Sequence, residues 1–185
     1  ISKSKIQQLI DRLLAQSTAR IVAVSNTVAE FTSKQEHIPL RKFQVIHNGI
    51  HIENLQRKKD TCDTAAIRKE LGLSESERVI VNVGRITSQK GQMLLLEGFA
   101  GFSRDHGEYK LIIVGDGTEL RFLRESAISL GIDDAVLFAG MRHDVVPFYA
   151  IADFFVSTSS IEGFGIAHAE ALACGLPVLS TKTAG

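Results

Sequence analysis

Strands alternating with helices along most of the chain predict an α/β fold: a parallel sheet with helices on both faces, incomplete at both ends. Three observations carry this. Short apolar runs such as Val79-Ile80-Val81-Asn82-Val83 and Leu111-Ile112-Ile113-Val114 suit strands buried on both faces. Segments of helical length separate them, as parallel crossovers require. The 185 residues are 44% apolar and 23% charged, an ordinary globular balance. A chain of this size buries roughly 70% of its unfolded surface without a disulfide or metal staple.

The first element is helical. Apolar residues at Ile6, Leu9, Ile10, Leu13 and Leu14 form one stripe, suited to covering a domain core. Lys3, Lys5 and Arg12 make the other face mildly basic, which also suits a membrane surface. Ile21–Ser25 reads as a strand, followed by a helix from about Asn26 that Ser25 or Asn26 caps. Phe43–Ile46 is a second strand, closed by the turn dipeptide Asn48-Gly49. The charged stretch Glu53–Asp63, with Arg57-Lys58-Lys59, is expected to be a solvated linker. Strands then follow at Val79–Val83, Leu111–Val114, Val136–Phe138, Phe154–Val156 and Val178–Leu179. Helices are expected at Ala65–Leu71, Gln89–Phe102, Leu120–Leu130, Val145–Ala150 and Gly165–Cys174. Asp133-Asp134 reads as a turn before a strand.

Composition excludes several classes. Lys plus Arg and Asp plus Glu are 21 each, so the formal charge is zero and a dedicated nucleic-acid binder is not expected. Cys62 and Cys174 stand far apart, which gives neither a disulfide framework nor a zinc site and fits a reducing compartment. No apolar run reaches membrane-spanning length. His47 and His51 have H-x3-H spacing across an Asn-Gly, and two further zinc ligands are missing. A chain starting at Ile1 and stopping at Thr183-Ala184-Gly185 without a terminating helix is expected to be part of a longer one.

In a parallel sheet the ligand loops lie at the carboxyl ends of the strands. After Val83 comes Gly84-Arg85-Ile86-Thr87-Ser88-Gln89-Lys90-Gly91, with two cations five residues apart. That pairing suits a diphosphate, Arg as a fork and Lys as a point charge, although two solvated surface cations would read the same. It is not a Walker loop, since G-x-x-x-x-G-K-[ST] is absent. Gly115-Asp116-Gly117 fails as a dinucleotide fingerprint because Leu120 stands where the third glycine belongs.

The most informative stretch runs from Ser159 to Ala171. Glu162 lies in a loop and Glu170 on the following helix, seven residues between them. Gly163 and Gly165 allow backbone amides to approach a ligand, and the helix start offers unpaired donors for phosphate. Two carboxylates on either side suit polyhydroxylated groups; at about 1.5 Å per residue, Glu170 lies roughly 8 Å along the axis. An acidic first turn that merely favours the helix dipole is the plainer reading. It fits Glu170, in the second turn, poorly. The position of His168 on this helix does not decide between ligand and neighbouring loops.

Arg85 with Lys90, the Glu162–Glu170 pair and Ala171-Leu172-Ala173-Cys174-Gly175-Leu176-Pro177-Val178 together resemble the donor-binding domain of retaining GT-B glycosyltransferases, group 1 (family 4). The resemblance covers about Ile21 to Gly185. Val45–Ile50 is similar to that family's interdomain linker, with His47 and His51 where the family usually has Pro and Asp. It implies a Rossmann-like donor half over residues 49–185 and the end of the acceptor domain with the linker over residues 1–48.

Roles follow from the resemblance alone. Arg85 and Lys90, beside Gly84, would hold the donor diphosphate with amides near Gly163, Phe164, Gly165 and Ile166. Glu170 would take ribose hydroxyls, Glu162 the transferred sugar, and Gly140, Met141 and Arg142 would lie near the base. The implied reaction moves a sugar from a nucleotide-diphosphate sugar to a saccharide or lipid-linked acceptor with retention, in polysaccharide or glycolipid biosynthesis. Arg85, Lys90 and Glu162 would carry the catalysis. No metal or cofactor is implied, and no D-x-D motif is present. A cytoplasmic setting, with peripheral association at the inner face of a membrane, goes with such acceptors; the isolated chain would bind donor without transferring. The alternative is a catalytically silent nucleotide-sugar-binding or regulatory module.

Overall fold

A computed structural model describes residues 4–183. The chain groups into two compact units. The first comprises residues 4–49 together with Glu162–Gly165, and the second Ile50–Ile161 with Ile166–Thr183.

In the first unit, α1 (Lys5–Ser17) opens with a capping box in which Ser4 and Gln7 exchange hydrogen bonds. Strands β1 (Ile21–Ala23) and β2 (Phe43–Val45) pair in parallel, and α2 (Asn26–Glu36) crosses between them. Ser25 is the cap, accepting from the amide of Val28. The apolar stripe of α1 does not cover a core. Ile6, Leu9, Ile10, Leu13 and Leu14 are all exposed, while Ala15 is buried, because the described part of this unit offers little beyond β1, β2 and α2 to pack against. Asn48-Gly49 makes no turn either: residues 46–51 run open after β2, and Gly49 keeps an ordinary φ. His47 is tied back through Nδ1 to the Val24 carbonyl, which holds the segment extended.

The second unit is a five-stranded parallel sheet of order β5-β4-β3-β6-β7. Its strands are β3 (Arg78–Val83), β4 (Tyr109–Val114), β5 (Val136–Gly140), β6 (Phe154–Ser157) and β7 (Val178–Ser180). Alternation along the central strands feeds both faces. Val79, Val81, Ile112 and Val114 join one core with α7 (Val146–Ile151) and α8 (Ile166–Ala173). Leu111 and Ile113 join the other with α5 (Gln92–Phe102) and α6 (Leu120–Ser129).

The expected linker over Glu53–Asp63 is instead a helix, α3 (Ile52–Asp60), followed by α4 (Thr64–Glu70). Its basic run has partners: Lys58 pairs with Asp144 at 2.9 Å, and Lys59 donates to the Cys174 carbonyl at the end of α8. The cations also suit the negative end of α3's own dipole, and Leu55 packs onto the core. The helix expected from Gln89 begins at Gln92, after a 3-10 turn over Ser88–Lys90 and a left-handed Gly91. The last helix begins at Ile166, since Gly165 is left-handed with φ 75°. It ends as Ala-Cys-Gly-Leu-Pro dictates: Gly175 is left-handed, its amide donates to the Leu172 carbonyl, and the Leu176 amide to that of Ala171.

Candidate functional site

The sheet order reverses at β3. Strands β4 and β5 lie on one side of it, β6 and β7 on the other. Such a reversal opens a crevice at the carboxyl ends of the strands. Here β3 and β6 pair through only Ile80↔Phe154 and Val81↔Phe155. Beyond them the buried Asn82 bridges the pair, donating from Nδ2 to the Val156 carbonyl at 2.8 Å.

The loop leaving β3 is held from several directions. Arg85 is exposed, whereas Ile86 is fully buried, so the chain anchors one side chain and presents its neighbour. Gln92, 2% exposed, donates to the Arg85 carbonyl at 3.1 Å. Lys90 folds back over Gly84, where an added Cβ would stand 3.8 Å from Lys90 Cε, so both cations belong to one compact loop. From the loop after β4, Gly115 and Gly117 press so closely that added Cβ atoms would stand 1.9 Å from the Gly84 carbonyl oxygen and 2.0 Å from that of Ile86.

The loop after β6 is tied to the same structure. Thr158 Oγ1 donates to the Gly91 carbonyl at 2.8 Å. Both the amide and the hydroxyl of Ser160 donate to the Gln89 carbonyl, and Gln89 Nε2 returns to that of Ile161. The strand-end loops of β3, β4 and β6 are thus one block.

On α8, Glu170 Oε2 accepts a 3.2 Å hydrogen bond from Tyr149, a fully buried residue of α7. Burial raises the Glu170 carboxyl from its ordinary value, the Tyr149 hydrogen bond opposes that, and Asp144 adds to the rise. Tyr149 itself is pushed far above the usual phenol range by burial and the Glu170 charge, so it stays a donor. No signal in the sequence marked Tyr149; it reads as one more aromatic of a short apolar helix.

Other candidate residues are placed differently. Gly140 ends β5 with φ 70°, and Met141 is exposed. Arg142 is engaged, donating to the Ala139 carbonyl at 2.9 Å and pairing with Glu70 at 2.6 Å while lying over the Phe148 ring. Glu162, Gly163, Phe164 and Gly165 group with the first unit, where a Cβ on Gly163 would meet Val24 at 3.3 Å. His168 packs edge-on against Phe155 and meets Ser180 Oγ through Nε2, a place in the sheet-facing layer. Burial raises the Cys174 thiol, which leaves it a poor nucleophile. Among the described residues no three His, Cys, Asp or Glu converge as metal ligands, and no helix is long and apolar enough to cross a membrane.

Residues 63–185 match the family described as glycosyl transferases group 1. The chain belongs to that family. It is 33% identical over 140 residues to the alpha-monoglucosyldiacylglycerol synthase of Streptococcus pneumoniae, over 74% of this chain and 32% of that protein. It is 30% identical over 165 residues to the N-acetyl-alpha-D-glucosaminyl L-malate synthase of Bacillus anthracis, over 89% of this chain and 42% of the relative. Among solved structures, Anabaena HepE in complex with UDP-glucose resembles this group 1 chain with a TM-score of 0.84 and 26% identity. That likeness covers 99% of this chain and 50% of HepE. The chain therefore spans about a third to a half of the length of these relatives. Its sheet is Rossmann-like, as in the GT-B glycosyltransferases.

Proposed function

We propose that this chain carries the donor-binding half of a retaining, family 4 glycosyltransferase that moves a sugar from a nucleoside diphosphate sugar to a saccharide or lipid-linked acceptor. The observation that carries the reading is the reversal of strand order at β3, with Arg85 and Lys90 on the braced loop that leaves it and Glu170 on α8 held by Tyr149. HepE binding UDP-glucose supports the donor class. Residues 1–48 fit the end of the acceptor domain. A two-stranded sheet is marginal alone, and the exposed stripe of α1 is the kind of surface that the rest of a domain covers.

In this reading Arg85 and Lys90 bind the diphosphate, helped by amides of Gly163, Phe164, Gly165 and Ile166. Glu170 takes the ribose hydroxyls and Glu162 the transferred sugar. Gly140 and Met141 lie toward the base, and Arg142, held by Glu70, shapes their loop. The acceptor oxygen bonds to the anomeric carbon on the face that the diphosphate leaves. The carbon–phosphate-oxygen bond breaks, and the acceptor's proton goes to the departing phosphate oxygen. The protein's task is to stabilise the negative charge gathering on that oxygen, which fixed cations do without reorganising. This scheme assigns no step to a metal or cofactor. Lipid-linked acceptors fit a peripheral place at the inner face of a membrane.

Calorimetric titration of UDP, GDP and ADP against their nucleosides tests the reading. The diphosphate should bind far better, and Arg85→Ala should remove most of the difference, about tenfold to a hundredfold in affinity. Equal binding of nucleoside and diphosphate would refute it.

A further inference from the structure

Tyr149 is buried in the layer between the sheet and α8, its ring edge-on to Phe155 at 6.2 Å, in a core that includes Ala171 and Cys174. A phenylalanine would fill that volume equally well. The hydroxyl therefore needs its own explanation. It reaches Glu170 Oε2 at 3.2 Å, with the Ala167 carbonyl a longer second acceptor at 3.4 Å. The Glu170 carboxylate makes no other hydrogen bond among the described residues, which leaves Oε1 for a ligand. A long side chain in the second turn of a helix would otherwise spread over several rotamers, and holding it costs conformational entropy on binding.

We propose that Tyr149 is a positioning residue for Glu170: its hydroxyl occupies one carboxylate oxygen and keeps the other aimed at the ribose hydroxyls of the bound nucleotide. The inference rests on the reading that Glu170 contacts the ribose. The hydrogen bond also opposes the burial that raises the half-buried carboxyl. The other charged or titratable groups around this pair are Asp144 with its partner Lys58, Lys59 at the Cys174 carbonyl, the Cys174 thiol and His168 two residues earlier on α8. None of them donates a hydrogen bond to Glu170.

The experiment compares wild type, Tyr149→Phe, Glu170→Gln and the double variant. The probe is whichever of UDP, GDP and ADP wild type binds most tightly, alongside its 2′,3′-dideoxy analogue. Wild type should prefer the ribonucleotide, and Glu170→Gln should abolish most of that preference. Tyr149→Phe should reduce it about threefold to tenfold, the worth of one hydrogen bond. The loss should deepen as pH falls from about 8 to about 5, because the unassisted carboxyl takes its proton earlier. In the Glu170→Gln background the tyrosine substitution should add almost nothing.

If Tyr149→Phe keeps full preference at every pH while Glu170→Gln loses it, the positioning role is wrong and the ribose contact stands. Equal weakening toward both nucleotides by Tyr149→Phe would make the tyrosine merely structural. If Glu170→Gln keeps the preference, or no nucleotide binds, the ribose reading fails and the inference with it.

Discussion

Gly91→Ala probes how the loop proposed to hold the donor diphosphate is fastened. Gly91 has φ 65°, a left-handed conformation that costs an L-residue about 1–2 kcal/mol. An added Cβ would also stand 2.3 Å from the Thr158 carbonyl oxygen and 3.1 Å from its carbon, both backbone atoms. The loop after β6 must then retreat, an overpacking cost of about 1–3 kcal/mol. The two together give about 2–5 kcal/mol, a large part of the 5–15 kcal/mol of a whole domain. Gly72→Ala is the internal control. Its φ is 68°, but nothing lies within 4 Å of the new methyl, so only the left-handed cost of about 1–2 kcal/mol applies. Urea denaturation of both variants, followed by circular dichroism, gives the difference directly. Nucleoside diphosphate affinity should fall in Gly91→Ala, because Gln89 and Gly91 lose their seating on Ser160 and Thr158, and hold in Gly72→Ala. Equal destabilisation by the two, or unaltered nucleotide binding in Gly91→Ala, would refute the account of a braced loop.

Three further outcomes follow from the site and its surroundings. The Glu170 carboxyl is raised above its ordinary 4.5, so its contribution to stability is full below that value and is lost as pH rises through the raised one. Glu170→Gln should therefore raise the melting temperature at neutral pH and leave it nearly unchanged in acid, while weakening nucleoside diphosphate binding. Glu162→Gln should leave that binding nearly unchanged but lower turnover of the whole protein, measured as sugar transfer at saturating donor, since the proposed sugar contact matters as the sugar bond breaks. Asp144 both accepts from the Val146 amide at the start of α7 and pairs with Lys58. Asp144→Ala should cost about 1 kcal/mol in chemical denaturation, the worth of one hydrogen bond. Asp144→Asn, which keeps an acceptor for the Val146 amide, should cost less, and its deficit should shrink with added salt.

The strands of the main sheet were legible because burial on both faces leaves continuous apolar runs. The end of α8 was legible because a left-handed Gly175 followed by Leu176 and Pro177 has few other uses. Helix α3 was not. Its charge density reads as solvent exposure, and the groups that hold it, Asp144 and the Cys174 carbonyl, lie 86 and 115 residues along the chain from Lys58 and Lys59. Asn48-Gly49 carries the local preference for a turn, yet the tether from His47 to Val24 overrides it. The stripe of α1 revealed a helix without revealing what covers it. In the candidate site, Arg85 and Glu170 could be proposed from residue type and spacing. Gln92 and Tyr149 could not, since a buried glutamine beneath a loop and a tyrosine behind a carboxylate show themselves only when distant elements meet.

The glycines at the two ends of the sheet differ in a way that matters for re-engineering the chain. Gly91, Gly115 and Gly117, at the carboxyl ends of β3 and β4, each lie against another loop's backbone. Gly72, Gly107 and Gly131, which precede β3, β4 and β5, face open space. New termini, a split between two co-expressed pieces, or an inserted reporter peptide should be tolerated beside Gly107 or Gly131, where no neighbouring backbone must yield. The same cut within 84–91 or 115–117 would separate loops that hold one another's shape. A circularly permuted form of the chain should therefore be opened at the amino-terminal edge of the sheet, so that the edge proposed to bind the nucleotide sugar stays continuous.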